Sequence, residues 1–168
     1  MHGNPNFAIS IAAEVNDRLE AALIYSPITD EMFIAERGKG AFLNDKRIRV
    51  ASRKKLSESL LVTGIPHIGR GNKELFLKEM KQLIPEVAGI RRSGSAALDL
   101  AWIASGRYDI FWERGLKIWD IAAGILLVRE AGGFAQGLNG QDTDMWNGNI
   151  ISGNDDIINA LNEKLKHD

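Results

Sequence analysis

One acidic residue at the start of an apolar segment is the feature of this sequence whose type and position could do chemistry, and a second acidic residue and a glycine–serine turn precede it in the chain. Asp120 lies in "KIWDIAAGILLVREAGG", in the first turn of what the pattern predicts to be an apolar helix, and Glu113 ends the strand-like segment "YDIFWE". Gly94 and Ser95 directly precede a second predicted helix. Carboxylate oxygens bind Mg²⁺ and accept hydrogen bonds from hydroxyl groups, and the free N–H groups at a helix start can face an anion.

Each of these residues also has an ordinary structural interpretation. An aspartate at a helix N-cap accepts backbone N–H groups and stabilises the helix by about 1 kcal/mol. Spacing alone favours this capping role for Asp120, because Mg²⁺ takes oxygen ligands from several groups at once. Glu113 could equally be a solvated turn residue. Ser95 could be a plain N-cap.

The elements that must position these residues follow from the apolar periodicity and the turn residues. Three adjacent strands are predicted at 7–15, 18–25 and 31–36, joined by short turns that include Asn16-Asp17. A buried strand is predicted from Ser59. Four helices are predicted, at 72–83, 96–104, 121–131 and 155–166, with Gly106 ending the second and Gly132-Gly133 ending the third. Trp102, Trp112 and Trp119 are interpreted as core anchors rather than a stacking surface.

This order of elements predicts an α/β fold in which an antiparallel meander is followed by strands that alternate with helices. Polarity rises around the segment "SRKKLS", so a domain boundary is placed there. The predicted domains are 1–56, which is β only, and 57–168, an α/β layered domain. No internal repeat or low-complexity segment interrupts this pattern.

Composition narrows the classes of function. The chain has 168 residues, a formal net charge of -1 and no cysteine. The charge makes a nucleic-acid partner unexpected, and the lack of cysteine excludes disulfides, thiolate metal sites and cysteine nucleophiles. No apolar stretch is long enough to suggest a membrane span, and the first residues lack the pattern of a signal peptide. We therefore expect a cytoplasmic protein with no membrane partner.

Four segments resemble the inositol monophosphatase family, in the same order along the chain. "WDIAAGILLVREAGG" is similar to the family's long C-terminal signature, and "AERGKGAFLNDKRIRVA" to its glycine hairpin. "RSGSAALDLAWIASGRYDIFWERGLKIWD" resembles the helix and strand block between them. "GNIISGNDDIINAL" resembles the closing strand and helix. The likeness covers nearly the whole chain, and its overall pattern resembles that of bacterial members of the family.

The resemblance implies a sugar-phosphatase fold and a site for each of the residues above. It implies that Asp120 is a Mg²⁺ ligand and that Glu113 contacts substrate hydroxyl groups. It also implies that Gly94, Ser95 and Ala96 line the substrate site. The expected activity is Mg²⁺-dependent hydrolysis of inositol monophosphate or a related phosphorylated polyol. The family is commonly dimeric, so a homo-oligomer, most simply a dimer, is expected.

The opening residues "MHGNPNFAISIA" resemble those that directly follow the family's first metal-binding signature, which reads Asp-Pro-x-Asp-Gly-Thr. The resemblance therefore implies an N-terminally truncated chain that lacks the first metal-binding carboxylates and part of the first sheet. With no complete catalytic set, this chain alone is expected to be inactive. The alternative is a non-catalytic folded remnant that acts through oligomerisation or partner binding.

Overall fold

The computed structural model describes residues 3–67, 69, 71–138, 140–141 and 145–165. Its first five strands form one antiparallel sheet in the order β1-β2-β3-β4-β5. They are β1 (Ile9–Val15), β2 (Arg18–Ser26), β3 (Glu31–Glu36), β4 (Gly40–Leu43) and β5 (Lys46–Arg47). The predicted three-stranded meander is thus confirmed, and the glycine hairpin extends it by two further strands.

The turns of this first sheet follow from their residues. Asn16 and Asp17 link β1 to β2 with φ of 51° and 60°, and Asn44 and Asp45 link β4 to β5 with φ of 44° and 64°. Asn and Asp tolerate this left-handed conformation, and two-residue hairpins need it to match the strand twist. The Asn-Asp pairs therefore fix the register of the meander.

The remaining strands form a second, mixed sheet in the order β7-β6-β8-β10-β9. They are β6 (Leu60–Thr63), β7 (Gly89–Arg91), β8 (Ile110–Glu113), β9 (Phe134–Gln136) and β10 (Ile150–Gly153). Strand β6 runs parallel to β7 and β8, whereas β10 is antiparallel to β8 and β9. The carboxyl ends of β6 and β8 therefore meet at the same edge of the sheet.

Four helices pack on these sheets: α1 (Lys73–Leu83), α2 (Ala96–Ala104), α3 (Ile118–Glu130) and α4 (Asp155–Leu165). The predicted bounds of α2 are confirmed. Helix α3 begins three residues before its predicted start at residue 121, because Ile118 and Trp119 continue the helical turn. The prediction placed the end of α4 at residue 166, which lies outside the described residues.

Two apolar cores hold these layers together. In the first, α2 and α3 pack between the inner face of the first sheet and one face of the second, with Ile24 and Phe33 contributed by the first sheet. In the second core, α1 and α4 cover the opposite face of the second sheet, around Ile110, Trp112 and Ile151. The amino ends of α2 and α3 are consequently fixed beside the carboxyl ends of β6 and β8. The domain boundary at residue 56 stays a prediction.

Candidate active site

One cavity of about 600 Å³ lies where these strand ends meet the helix starts. Its lining includes all five residues that were singled out in the sequence: Gly94, Ser95, Ala96, Glu113 and Asp120. They come from three separate segments, namely the start of α2, the end of β8 and the first turn of α3. The fold therefore brings the predicted site residues to a single cavity.

The turn before α2 is held by its own side chains. Gly94 has φ of +99°, a conformation that glycine adopts without strain. The Ser95 hydroxyl accepts the Leu98 N–H at 3.4 Å, so its predicted role as N-cap is confirmed. The Ser93 hydroxyl accepts the Ser95 N–H at 3.3 Å, which leaves the turn facing the cavity in a fixed conformation.

Asp99, in the first turn of α2, supports this turn through a hydrogen bond with Ser93. Its side chain lines the cavity and the residue is only 2% exposed, and its carboxylate accepts the hydroxyl of Ser93. Burial is the main cause that raises the pKa of the Asp99 carboxyl, to about 7. The hydrogen bond from Ser93 and the charge of Arg92 lower this pKa, and the charge of Glu113 raises it. Asp99 is thus a carboxyl group that is about half protonated near pH 7 and contacts the turn.

Glu113 owes its position to a glycine on the neighbouring strand. Gly64 directly follows β6, and a Cβ atom built on it would lie 2.2 Å from the carboxyl carbon of Glu113. The parallel register that pairs Thr63 with Trp112 brings the two residues side by side. Only a residue without a side chain at position 64 leaves room for the Glu113 carboxylate at this edge.

Asp120 is the third residue of α3 rather than its N-cap, so the capping interpretation needs a correction. Lys117 is the N-cap residue, and its backbone N–H donates to Asp120 Oδ2 at 2.9 Å. This backward hydrogen bond belongs to the capping-box arrangement and uses one carboxylate oxygen. The other oxygen stays available at the half-exposed cavity wall.

The cavity offers one carboxylate ligand that suits Mg²⁺, which is fewer than a complete Mg²⁺ site needs. Asp120 supplies the hard oxygen that this ion prefers. Within the described ranges, however, no group of three or more His, Cys, Asp or Glu residues is arranged to hold a metal ion. A metal bound through these residues alone would lack most of its protein ligands.

Two arginines line the cavity, and one of them is paired with a buried carboxylate. Arg92 lines it beside the Gly94 turn, where a Cβ on Gly94 would lie 3.1 Å from Arg92 Nη1. Arg114 also lines it, and its guanidinium donates to both oxygens of the fully buried Glu79, at 2.8 and 2.6 Å. The fork-shaped contact with Glu79 on α1 fixes Arg114 in place. Arg92 lies closest to the helix start that could face an anion.

Comparison with known proteins settles the family. The model of the inositol monophosphatase family matches residues 1–167. The chain belongs to the inositol monophosphatase family. It is 51% identical over 166 residues to the inositol-1-monophosphatase of Rhizobium meliloti, and 47% identical over 163 residues to the Nus factor SuhB of Pseudomonas aeruginosa. These alignments cover 99% and 96% of this chain, but 62% and 60% of the two relatives.

Solved structures of the family show the same fold. The crystal structure of the extragenic suppressor protein suhB from Bartonella henselae matches with a TM-score of 0.95 and 50% identity. The inositol monophosphatase from Anabaena matches with a TM-score of 0.91 and 39% identity. Both matches cover 98% of this chain, and they cover 63% and 65% of the respective solved chains. The predicted fold class is therefore confirmed, and this chain spans just under two thirds of these relatives.

Sequence reasoning missed several residues of this cavity. Asp99 carried a usable signal, since it is the one acidic residue inside the apolar helix "AALDLAWIA". Gly64 gave no such signal, because its importance lies in its contact with Glu113 on the neighbouring strand, and Arg92 gave none either. Trp119 was interpreted as a core anchor, and that was wrong: it is 66% exposed and stands on the cavity rim beside Asp120. In contrast, Trp112 is buried as predicted.

Proposed function

We propose that this chain provides the substrate-binding wall of a Mg²⁺-dependent phosphomonoesterase that acts on inositol monophosphate or a related phosphorylated polyol. The observation that carries the proposal is the convergence of the Gly94–Ala96 turn, Glu113 and Asp120 on one cavity. The name of the Rhizobium meliloti relative, inositol-1-monophosphatase, supports the same substrate class.

Each cavity residue has a role in this proposal that its chemistry supports. The Glu113 carboxylate accepts hydrogen bonds from neighbouring substrate hydroxyl groups. The α2 start and the Arg92 guanidinium face the phosphate, which both favour through their positive charge. Asp120 contributes one oxygen to Mg²⁺, and the bound ion would neutralise phosphate charge.

We further propose that the 168 residues alone bind this ligand without hydrolysing it. Hydrolysis of a phosphate ester with Mg²⁺ uses an ion held by several carboxylates. Asp120 is one such carboxylate, and the described residues do not gather two more around it. Binding through hydroxyl and phosphate groups needs only the groups that line the cavity.

Calorimetry on the purified chain tests the binding. Inositol monophosphate is titrated in the presence of Mg²⁺ into the wild-type chain and into Glu113→Gln and Asp120→Asn. We expect heat for the wild type and at least about tenfold weaker binding for each variant, since each loses a charge-assisted contact. Asp45→Asn, in an exposed hairpin turn, is the matched control and should bind like the wild type. Absence of heat for the wild type would refute the proposal.

A phosphate-release assay tests the second part. We expect no release above background from inositol monophosphate with Mg²⁺. Release that disappears in Asp120→Asn would show that the chain is a working enzyme. A non-catalytic remnant that acts through oligomerisation or partner binding predicts a third result, in which neither Mg²⁺ nor inositol monophosphate gives any heat.

A further inference from the structure

A buried carboxylate on α1 holds the residues on both sides of Glu113. Glu79 is completely buried, and its two oxygens accept hydrogen bonds from the Arg114 guanidinium at 2.8 and 2.6 Å. One of these oxygens also accepts the indole N–H of Trp112 at 3.4 Å. Trp112 and Arg114 are the chain neighbours of Glu113. A single side chain of α1 therefore anchors the segment that presents Glu113 to the cavity.

Stability alone does not account for this arrangement. Moving a carboxylate and a guanidinium out of water costs free energy, and replacing such a pair by apolar residues of similar volume is often neutral or stabilising. Apolar residues would suit the place, since Phe76 and Met80 on the same helix pack against the second core. What the pair provides instead is a guanidinium that is held in one place and one orientation.

Arg114 has hydrogen-bond donors left over after it binds Glu79. Arg114 lines the cavity, and 32% of its side chain is exposed. The fork with Glu79 uses one N–H group on each terminal nitrogen, and the guanidinium carries further N–H groups beside them. These remaining groups can donate to a molecule in the cavity, while the fork keeps the guanidinium in a fixed orientation.

The partner of Arg114 determines which ligand group its donors suit. The carboxylate of Glu79 lies 2.6 Å from the guanidinium and balances its charge, so the pair offers N–H donors with little net charge. Such donors favour a neutral acceptor, such as a hydroxyl oxygen, and attract an anionic group only weakly. Arg92 instead lies beside the Gly94 turn, which is the place proposed for the phosphate. The position and the charge of Arg114 therefore suit the polyol part of the ligand.

We propose that Arg114, held by Glu79, is a specificity-determining residue that donates hydrogen bonds to the hydroxyl oxygens of a phosphorylated polyol. A hydroxyl group both donates and accepts hydrogen bonds. Glu113 accepts from these groups and Arg114 donates to them, so two consecutive residues at the end of β8 serve both functions of the hydroxyl groups. A phosphate ester without hydroxyl groups gains from neither residue. This inference rests on the proposed function, because it concerns the same ligand in the same cavity.

Calorimetry with two matched ligands tests the inference. Cyclohexyl phosphate has the ring and the phosphate of inositol monophosphate but no ring hydroxyl groups. The quantity measured, with Mg²⁺ present, is the preference, defined as the ratio of the dissociation constant for cyclohexyl phosphate to that for inositol monophosphate. The double variant Glu79→Leu with Arg114→Met replaces the pair by apolar side chains. We expect it to lower the preference at least about tenfold, since it removes charge-assisted hydrogen bonds to the hydroxyl groups.

The double variant is chosen so that no buried charge loses its partner, which would destabilise the fold. Its matched control is Glu31→Leu with Arg107→Met. Arg107 donates to both oxygens of Glu31 in the same kind of fork, and neither residue lines the cavity. The control should therefore leave the preference unchanged. Circular dichroism and urea unfolding verify that both double variants are folded.

Glu79→Gln tests the positioning role separately. Glu79 does not line the cavity, so its effect on the ligand has to pass through the residues that it holds. Glutamine keeps an acceptor for one N–H group and loses the second half of the fork, and we expect the preference to fall at least about threefold. A merely structural role would weaken the binding of both ligands alike and leave the preference unchanged.

The outcomes for this inference and for the proposed function are distinguishable. A lower preference in the double variant and in Glu79→Gln, with the control unchanged, supports the role of Arg114. If the wild type prefers inositol monophosphate and both variants keep that preference, Arg114 does not determine specificity, while the proposed function stands. A wild type that binds both ligands equally well also overturns the inference. A wild type that binds neither ligand overturns the inference and the proposed function together.

Discussion

The two sheets of this protein differ in how completely their side chains are buried. The second sheet carries helices on both faces, so that Val62 and Phe111 contact one core and Leu61 and Ile110 contact the other. Among the residues that the structure describes, helices pack on the inner face of the first sheet alone. The side chains of the second sheet are therefore buried within the chain, while apolar side chains of β1 in the first sheet, such as Ile9 and Ile11, are exposed.

The difference can be traced to the strands themselves. Strand β6, "LLVT", is nearly continuous in apolar residues, which is typical of a strand buried on both faces. In strand β2, "RLEAALIYS", buried residues alternate with half-exposed ones from Ala22 to Ser26. The cavity lies at the edge of the fully covered sheet, where neighbouring elements fix each side chain. The candidate cavity thus lies at the sheet that is covered on both faces, and the exposed apolar side chains of β1 lie on the other sheet.

The largest effect should come from a truncation inside the second sheet. Ile151 in β10 is fully buried in the second core, so Ile151→Ala removes apolar contacts and leaves a cavity. We expect the free energy of unfolding to fall by about 2–5 kcal/mol. Urea unfolding followed by circular dichroism measures it. A loss well under about 1 kcal/mol would mean that the second sheet is not the tightly packed region.

The pH dependence of Asp99→Asn should give the next largest effect. The Asp99 carboxyl has a pKa of about 7 in the folded chain against its ordinary value of 3.8, so the folded state holds the proton more tightly. Stability contributed by protonated Asp99 is therefore fully present below about pH 4 and is lost as the pH rises towards 7. Each pKa unit is worth about 1.4 kcal/mol, which makes the loss on the order of 2–4 kcal/mol.

Because an asparagine keeps an acceptor for Ser93 without a charge, Asp99→Asn should escape this loss. Urea unfolding of the variant and the wild type at pH 4.5 and pH 8 measures the difference in stability, which should grow in favour of the variant at pH 8. Asp45→Asn serves as the matched control. A difference that is the same at both pH values would show that the burial of Asp99 does not govern its protonation.

A smaller effect on stability, but a clear one on binding, is expected from Gly64→Ala. The added Cβ would occupy the place of the Glu113 carboxylate, whose flexible end can move aside. Unfolding should change by less than about 1 kcal/mol, since no backbone has to shift. Calorimetric binding of inositol monophosphate should weaken at least about tenfold, as for Glu113→Gln. Unchanged binding would show that Glu113 does not take part in binding the ligand.

The smallest effect should be that of Ile11→Ala. This side chain is 57% exposed on β1 of the first sheet, so its truncation removes few intramolecular contacts. We expect a change in unfolding free energy below about 1 kcal/mol. A loss as large as that for Ile151→Ala would mean that the Ile11 side chain is packed within the chain.

The sequence predicted the fold well where local signals agree with the tertiary structure. The Asn16-Asp17 turn, the Ser95 cap and the bounds of α2 all depend on nearby residues, and all were confirmed. The start of α3 was placed three residues late, because Lys117 at its N-cap gives no capping signal and the conspicuous Asp120 does. The roles of Glu113 and Asp120 stay predictions, although both residues line the same cavity.

The sequence by itself determined which segments form strands and helices and which family they belong to, because periodicity, turn residues and motifs are local properties of the chain. Only the tertiary structure decided that Gly64 must make room for Glu113, that Asp99 is buried beside Ser93, and that Trp119 stands exposed. Tertiary structure alone also revealed that Glu79 holds Trp112 and Arg114 on the two sides of Glu113. These features arise where elements distant in sequence approach each other, and the burial that results is a property of the assembled layers.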